Sequence, residues 1–426
     1  MKKSSIRILS VLLILISLWA VITYYTESEA KVRKISNVVK VLKKSGNEPI
    51  VLKGKDQNKV VIVTPELGGR VLFTGLDGVE GNTESYIDEN QIRKGATKSE
   101  PAGKWASFGG EERIWFAPEG GKFGLFYRQN KAQDFPNYLV PEPLNSTQYK
   151  IIENPSNGKS VTFTAPIQLV NYQGTSLDLE VIRKVEILES CPYTLGLSDK
   201  IESVGFETNT WVKNTGDQPF TRQNGAVGVW TLGQFPAKQN SIIMIPFRSG
   251  SNSALGPVLN TEYFNTDMID TTKAPSGHSY DDYWKVAKNV ALVKASGSVQ
   301  TKIEMSPKRA VGKLASIDLK NSGMTIVEFR MYPELAYTAS YWLPYNGDPY
   351  DGASISVFVL SKEAGVPPFY ELEVISPALF LQPNEQYRHI SRTYHLRGNI
   401  DAMMKVCELH FNTDSEMLRK FNTNAP

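Results

Sequence analysis

Two acidic stretches, far apart in the chain, hold the side chains best suited to moving protons. The first reads Phe108-Gly109-Gly110-Glu111-Glu112-Arg113-Ile114-Trp115-Phe116-Ala117-Pro118-Glu119-Gly120-Gly121. Three carboxylates and a guanidinium lie between paired glycines, which let the backbone turn with positive φ or approach a ligand closely. Trp115 and nearby Trp105 offer rings on which the apolar CH face of a sugar can stack. An ion-paired turn, with Arg113 held by Glu111 or Glu119 and Trp115 in the core, accounts for the same residues equally well. The second stretch is Phe369-Tyr370-Glu371-Leu372-Glu373-Val374-Ile375-Ser376-Pro377. As a strand it sets Glu371 and Glu373 on one face, Tyr370 and Leu372 on the other. Paired carboxylates can share a proton, which raises the pKa of one and suits acid/base work on a sugar. A solvated strand face is the competing account.

The remaining chemistry-bearing residues are sparse. His389 and His395, in YRHISRTYHLRGN, are six apart, so a regular strand places them on one face but about 20 Å from each other. A two-histidine metal site is therefore not expected there, and hydrogen-bonded structural roles are the simpler account of both. His278 sits in a polar stretch and His410 in the tail. Cys191 and Cys407 are the only cysteines and form neither a CxxC nor a CxxH, which removes a thiolate metal site. They are two independent core thiols or, in an oxidising compartment, one disulfide. Trp211 to Phe235 contains Asn214, Trp230 and Gln234 without catalytic spacing. No Walker loop, dinucleotide fingerprint, GxSxG elbow or HExxH is present, so no cofactor and no metal is assigned. The net charge of +3 is spread over 47 basic and 44 acidic side chains, which gives no field for nucleic acid.

These residues must be positioned by β-sheet. Lys59–Thr64, Arg70–Thr74, Phe123–Arg128, Ser160–Thr164, Leu177–Leu188 and Thr325–Met331 are short, rich in β-branched and aromatic residues, and separated by Gly, Pro, Asn and Asp turns. Leu177–Leu188 alternates cleanly except at Ile182 and Arg183, which predicts a bulge or a wet patch there. Val32–Lys44 has apolar residues at helical spacing, and 400–421 reads as one or two closing helices. Ser251–Ser279 is a polar surface excursion. No repeat, linker or low-complexity tract interrupts 47–398, so 31–399 is expected to be one mainly β domain followed by a helical tail, 400–426.

The N-terminus carries an address. Lys2, Lys3 and Arg7 precede an apolar run from Ile8 to about Tyr25, and Ser28-Glu29-Ala30 supplies small residues for cleavage. Residues 1–30 therefore read as an export signal or, because the run approaches a bilayer's width, as an uncleaved anchor. Either way the expected location is the periplasm or cell envelope, with the membrane touched only through such an anchor. A monomer is expected.

Taken in order, Gly69-Arg70-Val71, GGEERIWFAPEGG from Gly109, NYQGTSLDLEVIRKVEIL from Asn171, SPKRAVGKLASID from Ser306, DPYDG from Asp348 and PFYELEVISPALFLQPNEQYRHISRTYHLRG from Pro368 resemble an uncharacterised family of exported bacterial proteins, a domain of unknown function with a galactose-mutarotase-like fold. The resemblance implies a β-supersandwich with a sugar-sized groove and a carbohydrate ligand. Aldose epimerases of that fold use a glutamate, in a Leu-Glu-Thr-Gln type segment before a Pro-Gly-Glu turn, as general base. Leu372-Glu373-Val374-Ile375 before Gln382-Pro383-Asn384-Glu385 looks like that segment, which makes Glu373 the candidate base. Their general acid is a histidine in Asn-His-x-Tyr-Phe-Asn, and the corresponding stretch here, AVGVWTLGQF from Ala226, has none. Ring opening needs a proton delivered as well as one removed. Either Arg113, His389 or Glu111 substitutes, or the groove binds a glycan without turnover, or the chain is a structural envelope protein that kept the fold and lost the site. The candidate catalytic residues are Glu373, Glu371 and His389; the candidate substrate-binding residues are Arg70, Glu111, Glu112, Arg113, Trp115, Glu119 and Trp230.

Overall fold

A computed structural model of the chain describes residues 33–83, 85–94, 109–154, 157–261, 280–339, 341, 347–361 and 366–423. The proposed export segment, Trp105, Phe108 and His278 lie outside the described residues.

Two antiparallel sheets dominate. The larger runs, edge to edge, β13 (Trp284–Ala287), β14 (Val290–Lys294), β12 (Ser241–Pro246), β16 (Lys313–Asp318), β17 (Gly323–Phe329), β20 (Gln386–Gly398), β10 (Ile201–Asn214), β9 (Ser176–Leu188), β8 (Ser160–Val170) and β7 (Lys150–Glu153). The smaller runs β15 (Thr301–Met305), β18 (Ile355–Val359), β19 (Phe369–Ile375), β11 (Gly228–Pro236) and β6 (Arg113–Ala117). A three-stranded sheet of β2 (Ile50–Lys53), β3 (Val60–Thr64) and β4 (Arg70–Gly75), and a short pair of β1 (Arg33–Lys34) with β5 (Asn82–Thr83), complete the strands.

Alternation decides which side of each strand is buried. Ile243, Ile245, Leu314 and Val327 of the large sheet meet Ile303, Val357, Leu372 and Val374 of the small one, and this apolar layer joins the two sheets. The outer side of the large sheet is covered by two closing helices, α2 (Ile400–Phe411) and α3 (Ser415–Thr423), with Met403, Val406, Cys407, Phe411 and Leu418 set on Met244, Leu292, Ile317, Ile326 and Leu396. Asn399 starts α2 by accepting from the N–H groups of Asp401 and Ala402, and Asn412 ends it in the left-handed region. An N-terminal helix, α1 (Ile35–Lys44), seats Ile35, Val38 and Leu42 on Ile62, Leu72 and Phe73 of the three-stranded sheet.

Two expectations need correction. β9 has no bulge: its pairing with β8 and β10 is unbroken, and Arg183 simply continues the buried series Leu179, Val181, Val185. The charge is tolerated because Glu112 pairs with it inside. Phe123–Arg128 is turn rather than strand; Leu125 and Phe126 donate back to the carbonyls of Pro118 and Glu119, and the residues from Phe123 to Tyr127 are buried in succession, not in alternation. Cys191 and Cys407 are free and buried under the closing helices, and burial pushes both thiols up to about 12.

A charged sheet face as candidate functional site

One face of the small sheet packs on the large sheet; the other is unexpectedly rich in charge. Cross-strand register aligns Glu304, Ser356, Glu373, Leu232 and Arg113 in one row, and Lys302, Phe358, Glu371 and Gln234 in the next. Trp230 and Trp115 stand opposite each other one step further along. Because directly paired residues share a face, the alternation that puts Leu372 and Val374 into the core turns every one of these side chains to the same side.

Glu373 is fully buried at the centre. The Lys302 ammonium donates to both its oxygens, at 2.7 and 2.8 Å, and the Trp230 indole N–H donates to Oε2 at 2.9 Å. Glu371 Oε1 accepts from Arg113 Nη2 at 2.9 Å and from the Gln234 amide at 2.8 Å. The guanidinium carbon of Arg113 lies 4.4 Å from the centre of the Trp115 ring, which meets Trp230 edge-on at 5.7 Å. The segment following β6 folds across this face: Phe126 lies against both tryptophans, and Tyr138 donates to Glu119 at 2.6 Å.

Burial pushes Glu373 upward, to about 7, with the neighbouring Glu371 charge adding to the rise; Lys302 and the Trp230 N–H pull the other way. Burial alone would lower Lys302, but the surrounding carboxylates, Glu373 first and then Glu119, Glu304 and Glu371, hold it above its usual value and keep it cationic. Four buried polar atoms on this face have no hydrogen-bond partner: Arg113 Nε and Nη1, Trp115 Nε1 and Ser356 Oγ. An unpaired buried donor costs about 1–3 kcal/mol, so the fold holds these groups at a price in stability.

The candidates from sequence divide between this face and other places. Glu371, Glu373, Arg113, Trp115 and Trp230 come together, and Glu119 lies close enough for Lys302 to feel its charge. Glu112 instead ion-pairs with Arg183, whose Nε and Nη1 donate to the Gly69 carbonyl and Thr210. Glu111 accepts from the N–H and hydroxyl of Thr74 and is bonded to His395 Nε2 at 2.9 Å. Arg70 donates to the carbonyls of Leu67 and Gly109, and burial, then the Arg113 and Arg183 charges, lower its pKa. His389 lies in the large sheet beside Thr210, buried, with neither ring nitrogen partnered; burial and then Arg183 push it down to about 3. Arg70, Glu111, Glu112 and His389 are therefore not brought onto the Glu373 face. Glu112 is next to Arg113 and points to the opposite side, whereas Glu111 lies in the bend before β6 and is drawn to Thr74 and His395.

Sequence reading missed Lys302, Glu304 and Ser356, and noted Gln234 without giving it a role. Thr301-Lys302-Ile303-Glu304-Met305 looks like an ordinary strand with a solvated side, and only the register two strands away makes that side interior. Among the described residues, no group of three or more His, Cys, Asp and Glu side chains is arranged to hold a metal ion.

Comparison with solved structures finds similarity to a candidate aldose 1-epimerase from Escherichia coli K12, at 11% identity and a TM-score of 0.46 over 83% of this chain and 100% of that one. A galactose mutarotase-like protein from Lactobacillus casei is similar at 11% identity and a TM-score of 0.42, over 82% and 100% of the two chains. A galactose mutarotase related enzyme from Lactobacillus acidophilus is similar at 10% identity and 0.40, over 82% and 97%. No curated protein matches the sequence. A family model described as a family of unknown function, DUF6786, matches residues 34–422, and the chain belongs to that family.

Proposed function

We propose that the charged face of the small sheet binds a carbohydrate, with Glu373 placed to exchange a proton at its anomeric centre. The observation that carries this is the set of four unpaired polar atoms, on Arg113, Trp115 and Ser356, beside the Glu371 and Glu373 carboxylates. Donors held without acceptors next to acceptors and aromatic rings match a polyhydroxylated ligand, whose hydroxyls both give and receive hydrogen bonds. A carboxyl that titrates near neutrality is suited to accept a proton from a hydroxyl and return it.

Binding without turnover is the second reading, and one observation favours it: both oxygens of Glu373 are already engaged, by Lys302 and by Trp230, which lies in the stretch where the epimerase histidine is expected. The two readings separate in anomer exchange of glucose and galactose followed by NMR or polarimetry. Catalysis predicts that wild type accelerates exchange and that Glu373→Gln loses about 10²-fold or more. Binding alone predicts no acceleration by either protein, with thermal stabilisation by sugar that Arg113→Met abolishes. A wild type that neither turns over nor binds any sugar in a broad glycan screen ends both readings. The same proposal takes the domain to be exported, on the strength of the basic and apolar sequence of residues 1–30.

A further inference from the structure

The apolar layer between the two sheets turns polar at one end, on several strands at the same level. Along β12 the inward residue changes from Ile243 to Ser241, along β16 from Leu314 to Ser316, and along β17 from Val327 to Thr325 and Gly323. These changes coincide in register: Ser316 pairs with Thr325, which pairs with His395 of β20. Phe235 and Tyr370 of the small sheet face this row, their ring centres 5.6 Å apart, and Thr74 of β4 closes a third side. The partly open hollow that these residues line has a volume of about 350 Å³, large enough for a small metabolite. Substituting small hydroxyl side chains for branched apolar ones on neighbouring strands removes volume and adds hydrogen-bonding groups, which is how a sheet layer opens a polar cavity.

We propose that this hollow is a second ligand site, for a neutral polyhydroxylated molecule of monosaccharide size. Its polar groups are set in two bonded pairs: the Tyr370 and Ser316 hydroxyls are 2.8 Å apart, and Thr325 Oγ1 lies 3.1 Å from His395 Nδ1, whose other nitrogen is fixed on Glu111. The cations at its edge are each held by carboxylates, Arg397 by Asp77 at 2.5 and 2.8 Å and by Glu202 at 2.7 Å, Lys238 by Asp318 at 3.2 Å, and Glu111 stands behind His395, so the wall offers an anionic ligand no cation that is not already engaged. The Phe235 and Tyr370 rings supply the flat apolar surface on which a sugar ring or cyclitol rests. This site is distinct from the Glu373 face, because Tyr370 and Glu371 are neighbours on β19 and project to opposite sides of it.

Gly323 makes the test clean. It lines the hollow, and an added Cβ there meets nothing within 4 Å. Wild type, Gly323→Phe, Tyr370→Phe and Arg113→Met are titrated calorimetrically with D-glucose, D-galactose and myo-inositol, and with glucose 6-phosphate and gluconate as charged analogues. At least one neutral compound should bind wild type, bind Tyr370→Phe about tenfold more weakly, show no binding to Gly323→Phe, and keep that binding event in Arg113→Met. Unchanged affinity in both Gly323→Phe and Tyr370→Phe overturns the proposal, as does binding of the charged analogues in preference to the neutral ones. Should Gly323→Phe fail to fold, Tyr370→Phe decides alone. An event lost in Arg113→Met but kept in the two cavity variants belongs to the Glu373 face and counts against a second site; one lost only in the cavity variants supports it whatever becomes of that face.

Discussion

Lys302 and Glu373 meet where neither charge is tolerable alone. Removing one partner of a buried pair strands the other, at about 3–5 kcal/mol, so Lys302→Met should lower unfolding free energy by that order in urea titrations, and Lys302→Met with Glu373→Gln should recover most of it. His389 sets a pH dependence. Its folded-state pKa, pushed down to about 3 by burial, lies below the usual 6.5, so the unfolded chain takes up the proton first and stability falls as pH drops through that window, by about 1.4 kcal/mol per unit. His389→Leu should flatten the acid limb of a stability profile measured between those values. Glu373 acts in the opposite sense: its raised pKa means the folded state holds the proton longer, so its contribution is lost as pH rises from 4.5 through about 7. At this scale the shared face of Glu371 and Glu373 was legible from a spacing of two. Arg183 was legible too, as a charge on the apolar phase of an alternating strand, but that signal means a buried partner as readily as a bulge. Nothing local identifies the partner, Glu112, which lies 71 residues away.

The strands and closing helices were legible where one side is apolar and the other polar, as in β9, α1 and α2. Legibility failed in two directions. Phe123–Arg128 has strand composition but lies under turn hydrogen bonds to Pro118 and Glu119, so composition named a buried segment without giving its backbone. Ser356 and Lys302 lie on strands whose polar side is interior, where alternation cannot tell protein from water. The closing helices are structural in a specific way: they bury the apolar outer side of the large sheet at Met244, Leu292, Ile317, Ile326 and Leu396. A chain ending at Gly398 should therefore bind a hydrophobic dye and aggregate in light-scattering measurements, whereas one ending at Phe421 should behave as wild type.

For the whole molecule, the expected mainly β fold with a short N-terminal helix and C-terminal helices agrees with the described architecture, and the small N-terminal sheet is tied to the rest by the bridge from Val71 to Glu112. If residues 1–30 are an export signal, intact-mass measurement of protein recovered from the periplasm should give a chain beginning at Lys31, and retention of the full length in the membrane fraction would identify an anchor instead. Light scattering should give a mass near that of one chain. The strand Phe369–Ile375 has a further consequence. It is a shared partition, showing carboxylates to one compartment and a phenol to the other, and the assignment depends only on odd and even position along it. Adding a single codon between Phe369 and Glu371 would interchange the two linings at one stroke. Inheritance should thus permit length variation at the Pro383-Asn384 turn and forbid it within this seven-residue span.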